Sequence, residues 1–181
     1  MLQPLQPSDI LSENFRAYEF AIRVGQTEVL PEDPEVCANL ARLACEGLQP
    51  LRNAWQRHLI DTMADGSPVI QVVCGWRSLK HNRDVGGAEK SQHILGLAAD
   101  IACDVNWRAL RRGLGTVRDA ERMEMFAHFA DRFIGTTDKI GGFGVYTSIP
   151  GKQHYWIHVD MRPRVLGHVY RWTGHHVGSE Q

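Results

Sequence analysis

The run HYWIHVDM, residues 154–161, constrains this chain more than any other stretch. Its aromatic and β-branched residues predict a strand, and strand side chains alternate between two faces. His158 and Asp160 therefore share a face with Trp156. A charged side chain inside an apolar strand is rare unless it is paired or bound to a metal. LAADIAC, residues 97–103, sets the same condition, because Asp100 lies within an apolar run and needs a partner.

The other predicted elements frame these two strands. VIQVVC (69–74) is a short β-branched run, a buried strand. GGFGVY (141–146) and HYWIHVDM form an antiparallel pair. PEDPEV leads into a helix, with Pro34 suited to a first helical position and acidic residues suited to its positive end. Val36, Leu40, Leu43, Leu48, Leu51 and Trp55 continue that helical face. Pro50 is expected to break or kink the helix near Gly47. TVRDAERMEMFAHFADRF (116–133) is an amphipathic helix, with His128 as a boundary residue. SENF opens a short helix carrying Tyr18 and Phe20. The polar segment after residue 74 is a loop with one helical turn.

The resulting order predicts an α+β fold, with helices on one face of a small antiparallel or mixed sheet. A length of 181 residues fits a single domain over 1–181. Residues 1–15 are expected to be an extended arm, and 175–181 a frayed tail where His175 and His176 invite adventitious metal binding.

Charge and composition exclude several classes. The formal net charge is −1, so nothing suggests a nucleic-acid partner. No apolar run approaches the length of a bilayer span, which argues against membrane insertion. The start MLQPLQPSDILSENF lacks a secretory leader's basic and apolar regions. The protein is therefore expected to be made in the cytoplasm. Cys37, Cys45, Cys74 and Cys103 form no CxxC pair, and their apolar contexts predict reduced, buried core residues.

Three polar clusters interrupt the apolar strands: CGWRS with Arg77, SQHILGLAAD with Ser91, His93 and Asp100, and WIHVD with His158 and Asp160. Two histidines and one carboxylate are a common catalytic zinc set, leaving a fourth position open for water. Each cluster alone is weak. Together they resemble the zinc D-alanyl-D-alanine carboxypeptidases and L-alanyl-D-glutamate endopeptidases of peptidoglycan, which share the hedgehog-type zinc fold. Ser91, His93, Gly96, Ala98 and Asp100 match that family's Ser-x-His-x-x-Gly-x-Ala-x-Asp signature, and His158 and Asp160 match its His-x-Asp. LSENFRAYEF and NLARLACEGLQPLR are similar to the arm and first long helix of its phage and bacterial branch. VCGWRSLKHNRDVGGAEKSQH and GGFGVY are similar to its Ser-Gly-Tyr-Arg-Ser segment and glycine-rich strand.

The resemblance implies that His93, Asp100 and His158 bind Zn2+. It implies that Arg77 holds the developing oxyanion or a substrate carboxylate, and that Ser91 and Asp160 orient the ligands from behind. Gly96 and the neighbouring alanines would let the backbone pass close to the metal. The substrate would be a peptidoglycan stem peptide or cross-link. An endolysin-like release onto the cell wall, or carriage in a phage particle with other particle proteins, fits the absent leader. One position departs from the pattern. Many members carry an acidic general base three residues before the second histidine, where this chain has Tyr155. His154, four before His158, is expected on His158's face and is the candidate base. The missing carboxylate leaves an alternative, a weak or inactive zinc-binding structural module such as a phage tail component. Trp172 is expected to cap the core.

Overall fold

The computed structural model describes residues 4–24, 26–147 and 154–175. The described part of the expected extended arm carries a short strand, and two small antiparallel hairpins form over residues 10–29. β1 (Ile10–Ser12) pairs with β2 (Phe15–Arg16), and β3 (Ile22–Val24) with β4 (Thr27–Val29). The short helix expected to carry Tyr18 and Phe20 is a 3-10 helix, Ala17–Phe20. Leu11, Phe15, Ala17 and Phe20 are buried, so apolar burial fixes this segment against the core.

Asp33 caps α1 (Pro34–Arg42) by accepting from the Glu35 amide, and Pro34 occupies the first turn as its ring geometry favours. The chain stays helical through Pro50, and near Gly47, where a break or kink was expected, the helix changes type. A π-helical stretch, Leu43–Leu48, leads into α2 (Gln49–Asp61), and the Gln49 amide donates five residues back to the Ala44 carbonyl. Pro50 then lies in the first turn of α2, where its missing donor is tolerated.

The central sheet has five strands in the order β5-β6-β8-β7-β9. They are β5 (Ile70–Cys74), β6 (Ala98–Cys103), β7 (Gly142–Thr147), β8 (His154–Asp160) and β9 (Tyr170–His175). Between them lie α3 (Leu79–Asp84), α4 (Trp107–Arg111) and α5 (Val117–Thr136). Neighbouring strands are antiparallel except β9, which runs parallel to β7 and makes the sheet mixed. This α+β architecture matches the sequence expectation. His175 closes β9 in register with Thr147, and the rest of the expected tail, 176–181, lies outside the described residues.

The two faces of the sheet divide the labour. Ala99, Ile101, Tyr155, Ile157 and Val159 point into the core, which α5 fills with Met123, Phe126, Ala127, Ala130 and Ile134. The intervening residues, Asp100 on β6 and Trp156, His158 and Asp160 on β8, occupy the opposite face. Thr116 caps α5 by accepting from the Asp119 amide, and the helix runs slightly beyond the predicted 116–133. The cysteines are all free, but only Cys37 and Cys103 are buried. Cys45 is exposed within the π-helical stretch, and Cys74 is partly so at the last position of β5.

Candidate active site

Register brings the polar clusters together. Cys74 pairs with Asp100, Asp100 with His158, His158 with Gly144 and Gly144 with Trp172, one row across all five strands. His93 joins from outside the sheet, on the turn that feeds β6. Gly96 closes this turn with φ +69, and a side chain there would strike the Val36 carbonyl of α1. Gly96 thus serves a tight turn against a helix, not a close approach to a metal as expected.

Three potential ligand atoms converge. His93 Nε2 lies 3.2 Å from His158 Nδ1 and 3.4 Å from Asp100 Oδ1, and His158 Nδ1 lies 2.9 Å from Asp100 Oδ1. Each histidine is held from behind. His93 Nδ1 donates to the Gly75 carbonyl at 2.6 Å, and His158 Nε2 donates to Asp160 Oδ2 at 3.1 Å. Those outer bonds orient both rings, so that the inner nitrogens face Asp100 and would be the ligand atoms toward a bound cation. Four-coordinate bonds of about 2.0–2.1 Å place N and O ligands roughly 3.3 Å apart. The observed edges match, so these residues fit a small divalent cation.

The surrounding charges are fixed as tightly. Arg77 Nη2 donates to Asp100 Oδ2 at 2.9 Å and Nε to Cys74 Sγ at 3.1 Å, which leaves Oδ1 for the histidines. Asp160 is fully buried, and Arg162 clasps it through the backbone amide, Nε and Nη2 at 2.6–3.0 Å. With no cation present, burial disfavours a charged His93, but Asp100 outweighs burial and raises its pKa to about 10. Burial likewise disfavours the Asp100 carboxylate, and His93 and His158 hold its pKa well below the usual range. Asp160 falls to about 2, because bonds from His158 and Arg162 overcome its burial.

Glycines on β7 make room for this arrangement. A Cβ on Gly142 would meet the Asp160 carboxylate at 2.3 Å, and one on Gly144 would meet the Trp172 ring at 2.4 Å. Trp172 therefore lies over the strand as a wall of the site, 5.1 Å from the His158 ring, rather than capping the core. Its Nε1 donates to the Tyr146 hydroxyl at 3.4 Å. His81, Lys90, Arg111 and Trp156 line the same cleft.

Not every expected site residue arrives. A β-bulge sets His154 opposite Thr147 and Trp156 opposite Tyr146, so the alternation that would carry His154 to His158's face is broken. His154 lies near Glu124 and His128 of α5 instead, and burial chiefly lowers its pKa. It is not part of the cleft. Tyr155 is fully buried in the core. Ser91 lines the cleft, but its observed role is in the turn, where its carbonyl accepts from the Ile94 amide. His128 is exposed and pairs with Glu124 at 3.7 Å.

Two participants escaped the sequence reading. Cys74 was expected in the core, yet its sulfur, a His93 nitrogen and an Asp100 oxygen lie within 4.8 Å of one another. Arg162 was not singled out, although an arginine two residues past a buried aspartate is a signal for a local clamp.

A family model for peptidase M15 matches residues 13–130, and the chain belongs to that family. Membership makes it a chain of a metallopeptidase family of hydrolases. The matched span contains Arg77, His93 and Asp100. His158 and Asp160 lie beyond it, and the sheet register joins them to it. A comparison with the curated proteins finds no match. No helix among the described residues is long and apolar enough to cross a membrane.

Proposed function

We propose that the protein is a zinc-dependent peptidase acting on peptidoglycan stem peptides or cross-links. One observation carries this reading: in a chain of the M15 family, two imidazoles and a carboxylate converge with their outer groups already anchored. His93, Asp100 and His158 would hold the ion. A bound zinc ion supplies Lewis acidity toward an amide carbonyl and lowers the pKa of water.

The chain's own groups do the rest. Asp160 and the Gly75 carbonyl keep the imidazoles in the tautomer that presents a lone pair. Arg77 holds Asp100 to a single inner oxygen, and its remaining guanidinium edge faces developing charge on the substrate oxygen. Trp172 and Trp156 wall the cleft against bulk water. Among the described residues, His81 is the one histidine lining the cleft outside the proposed ligand set; burial and then Arg77 lower its pKa, which leaves it neutral near pH 7, and it is assigned the proton. The absence of a lining carboxylate other than Asp100, among the described residues, supports the second reading of a catalytically weak zinc-binding module in a phage particle.

Digestion of purified cell walls decides between them. Zinc-loaded protein should release peptides with new amino termini, and a His158→Ala variant should release none. Equal and negligible release from both would establish the structural module instead.

A further inference from the structure

The cleft carries more positive charge than the acidic groups among the described residues neutralise. Four cations line it, Arg77, Lys90, Arg111 and Arg162, against the carboxylate of Asp100. Arg77 is bound to Asp100, and Arg162 to Asp160. Lys90 and Arg111 have no acidic partner among the described residues. The Arg111 guanidinium lies 5.6 Å from the ring centre of Trp156. That ring belongs to the residue two before His158, about 7 Å along the same strand face.

An exposed arginine with only water for company is ordinary. Arg111 differs in three respects. It is half-buried rather than exposed. Its charge lies over an aromatic ring, within cation–π range, and no hydrogen bond among the described residues occupies its N–H groups. The ring is held in turn, since Trp107 and Tyr146 pack against Trp156 at 5.8 and 5.9 Å. A guanidinium held beside a fixed ring with its donors unspent suits a carboxylate, whose two oxygens match its fork of N–H groups. Lys90 adds a second, unoriented positive charge on the loop before Ser91.

We infer that Arg111, supported by Trp156 and assisted by Lys90, is a carboxylate-binding subsite, selecting peptides that carry a free carboxylate one or two residues from the scissile bond. This rests on reading the cleft as the substrate site. It assigns the subsite to a residue on α4, separate from Arg77, whose Nε and Nη2 are held by Cys74 and Asp100 and whose remaining edge faces the substrate oxygen.

The test is calorimetric titration of zinc-loaded protein with two forms of one pentapeptide, Ala-D-Glu-Lys-D-Ala-D-Ala. One form has free carboxylates and the other has every carboxylate amidated. The free acid should bind at least about tenfold more tightly, as expected for a charge-assisted pair. Arg111→Gln should weaken the acid by about that factor and leave the amide unchanged, while Arg111→Lys should keep part of the preference. Equal binding of acid and amide, equal weakening of both by Arg111→Gln, or binding of neither would overturn the subsite. Wall digestion is read separately. A preserved acid preference without peptide release would refute the peptidase reading and leave the subsite standing.

Discussion

Replacing Asp160 with asparagine separates metal holding from mere folding. Asp160 is fully buried and accepts from His158 Nε2 at 3.1 Å and from three nitrogens of Arg162. Asparagine keeps the shape but offers one acceptor oxygen in place of two, and its amide must face either His158 or Arg162 donor to donor. Leaving one buried donor unsatisfied costs about 1–3 kcal/mol of stability. Loss of such a partner behind a ligand histidine typically costs 10- to 100-fold in metal affinity, roughly 1.4–2.8 kcal/mol. The assays are zinc competition against a chromophoric chelator at pH 7, and denaturant unfolding of the metal-free protein. Asp160→Asn should weaken zinc binding by at least tenfold and lower metal-free stability by a few kcal/mol at most. Stability falling while zinc affinity stays within threefold would refute the argument that Asp160 sets the tautomer of His158.

Two further substitutions probe the corrected and the crowded positions. His154→Phe should leave peptide release unchanged, because the bulge removes His154 from the cleft, whereas His81→Gln should reduce it. His154 has a lowered folded pKa, so its contribution to stability is present above about pH 6.5 and is lost as pH falls below that. The phenylalanine variant should therefore lose up to about 1.4 kcal/mol per pH unit from the acid slope of unfolding free energy. An unchanged slope would show that His154 is solvated. Gly144→Ala places a methyl at 2.4 Å from the Trp172 ring and should cost about 1–3 kcal/mol, with a shift in tryptophan fluorescence. Wild-type stability and emission would show that Trp172 does not lie over β7.

Much of this arrangement was legible in the sequence because it rests on short-range rules. Period-two alternation places His158 and Asp160 together, and an aspartate within LAADIAC demands a partner, which strand pairing supplies directly opposite. The helical face from Val36 to Trp55 and the capped α5 follow from apolar spacing alone. What the sequence did not show depends on register and irregularity. A single bulge in β8 reverses the face of His154, and no residue in HYWIHVDM marks it. Cys74 looks like a core residue until pairing with Asp100 sets it beside the ligands. β9 carries Arg171 and Gly174 among its aromatics and gains its place only by parallel pairing with β7. Pro50 is a helix breaker locally, yet a π-helical turn before it lets the helix continue.

The central claim is that His93, Asp100 and His158 hold the metal, with Cys74 beside the set and not in it. X-ray absorption at the zinc edge of the loaded protein tests this directly, because sulfur and nitrogen or oxygen ligands differ in bond length by about 0.2–0.3 Å. The account predicts only nitrogen and oxygen neighbours at about 2.0–2.1 Å, with the outer-shell pattern of two imidazoles. A sulfur neighbour at about 2.3 Å, with a single imidazole, would contradict it and replace His158 with Cys74 in the ligand set.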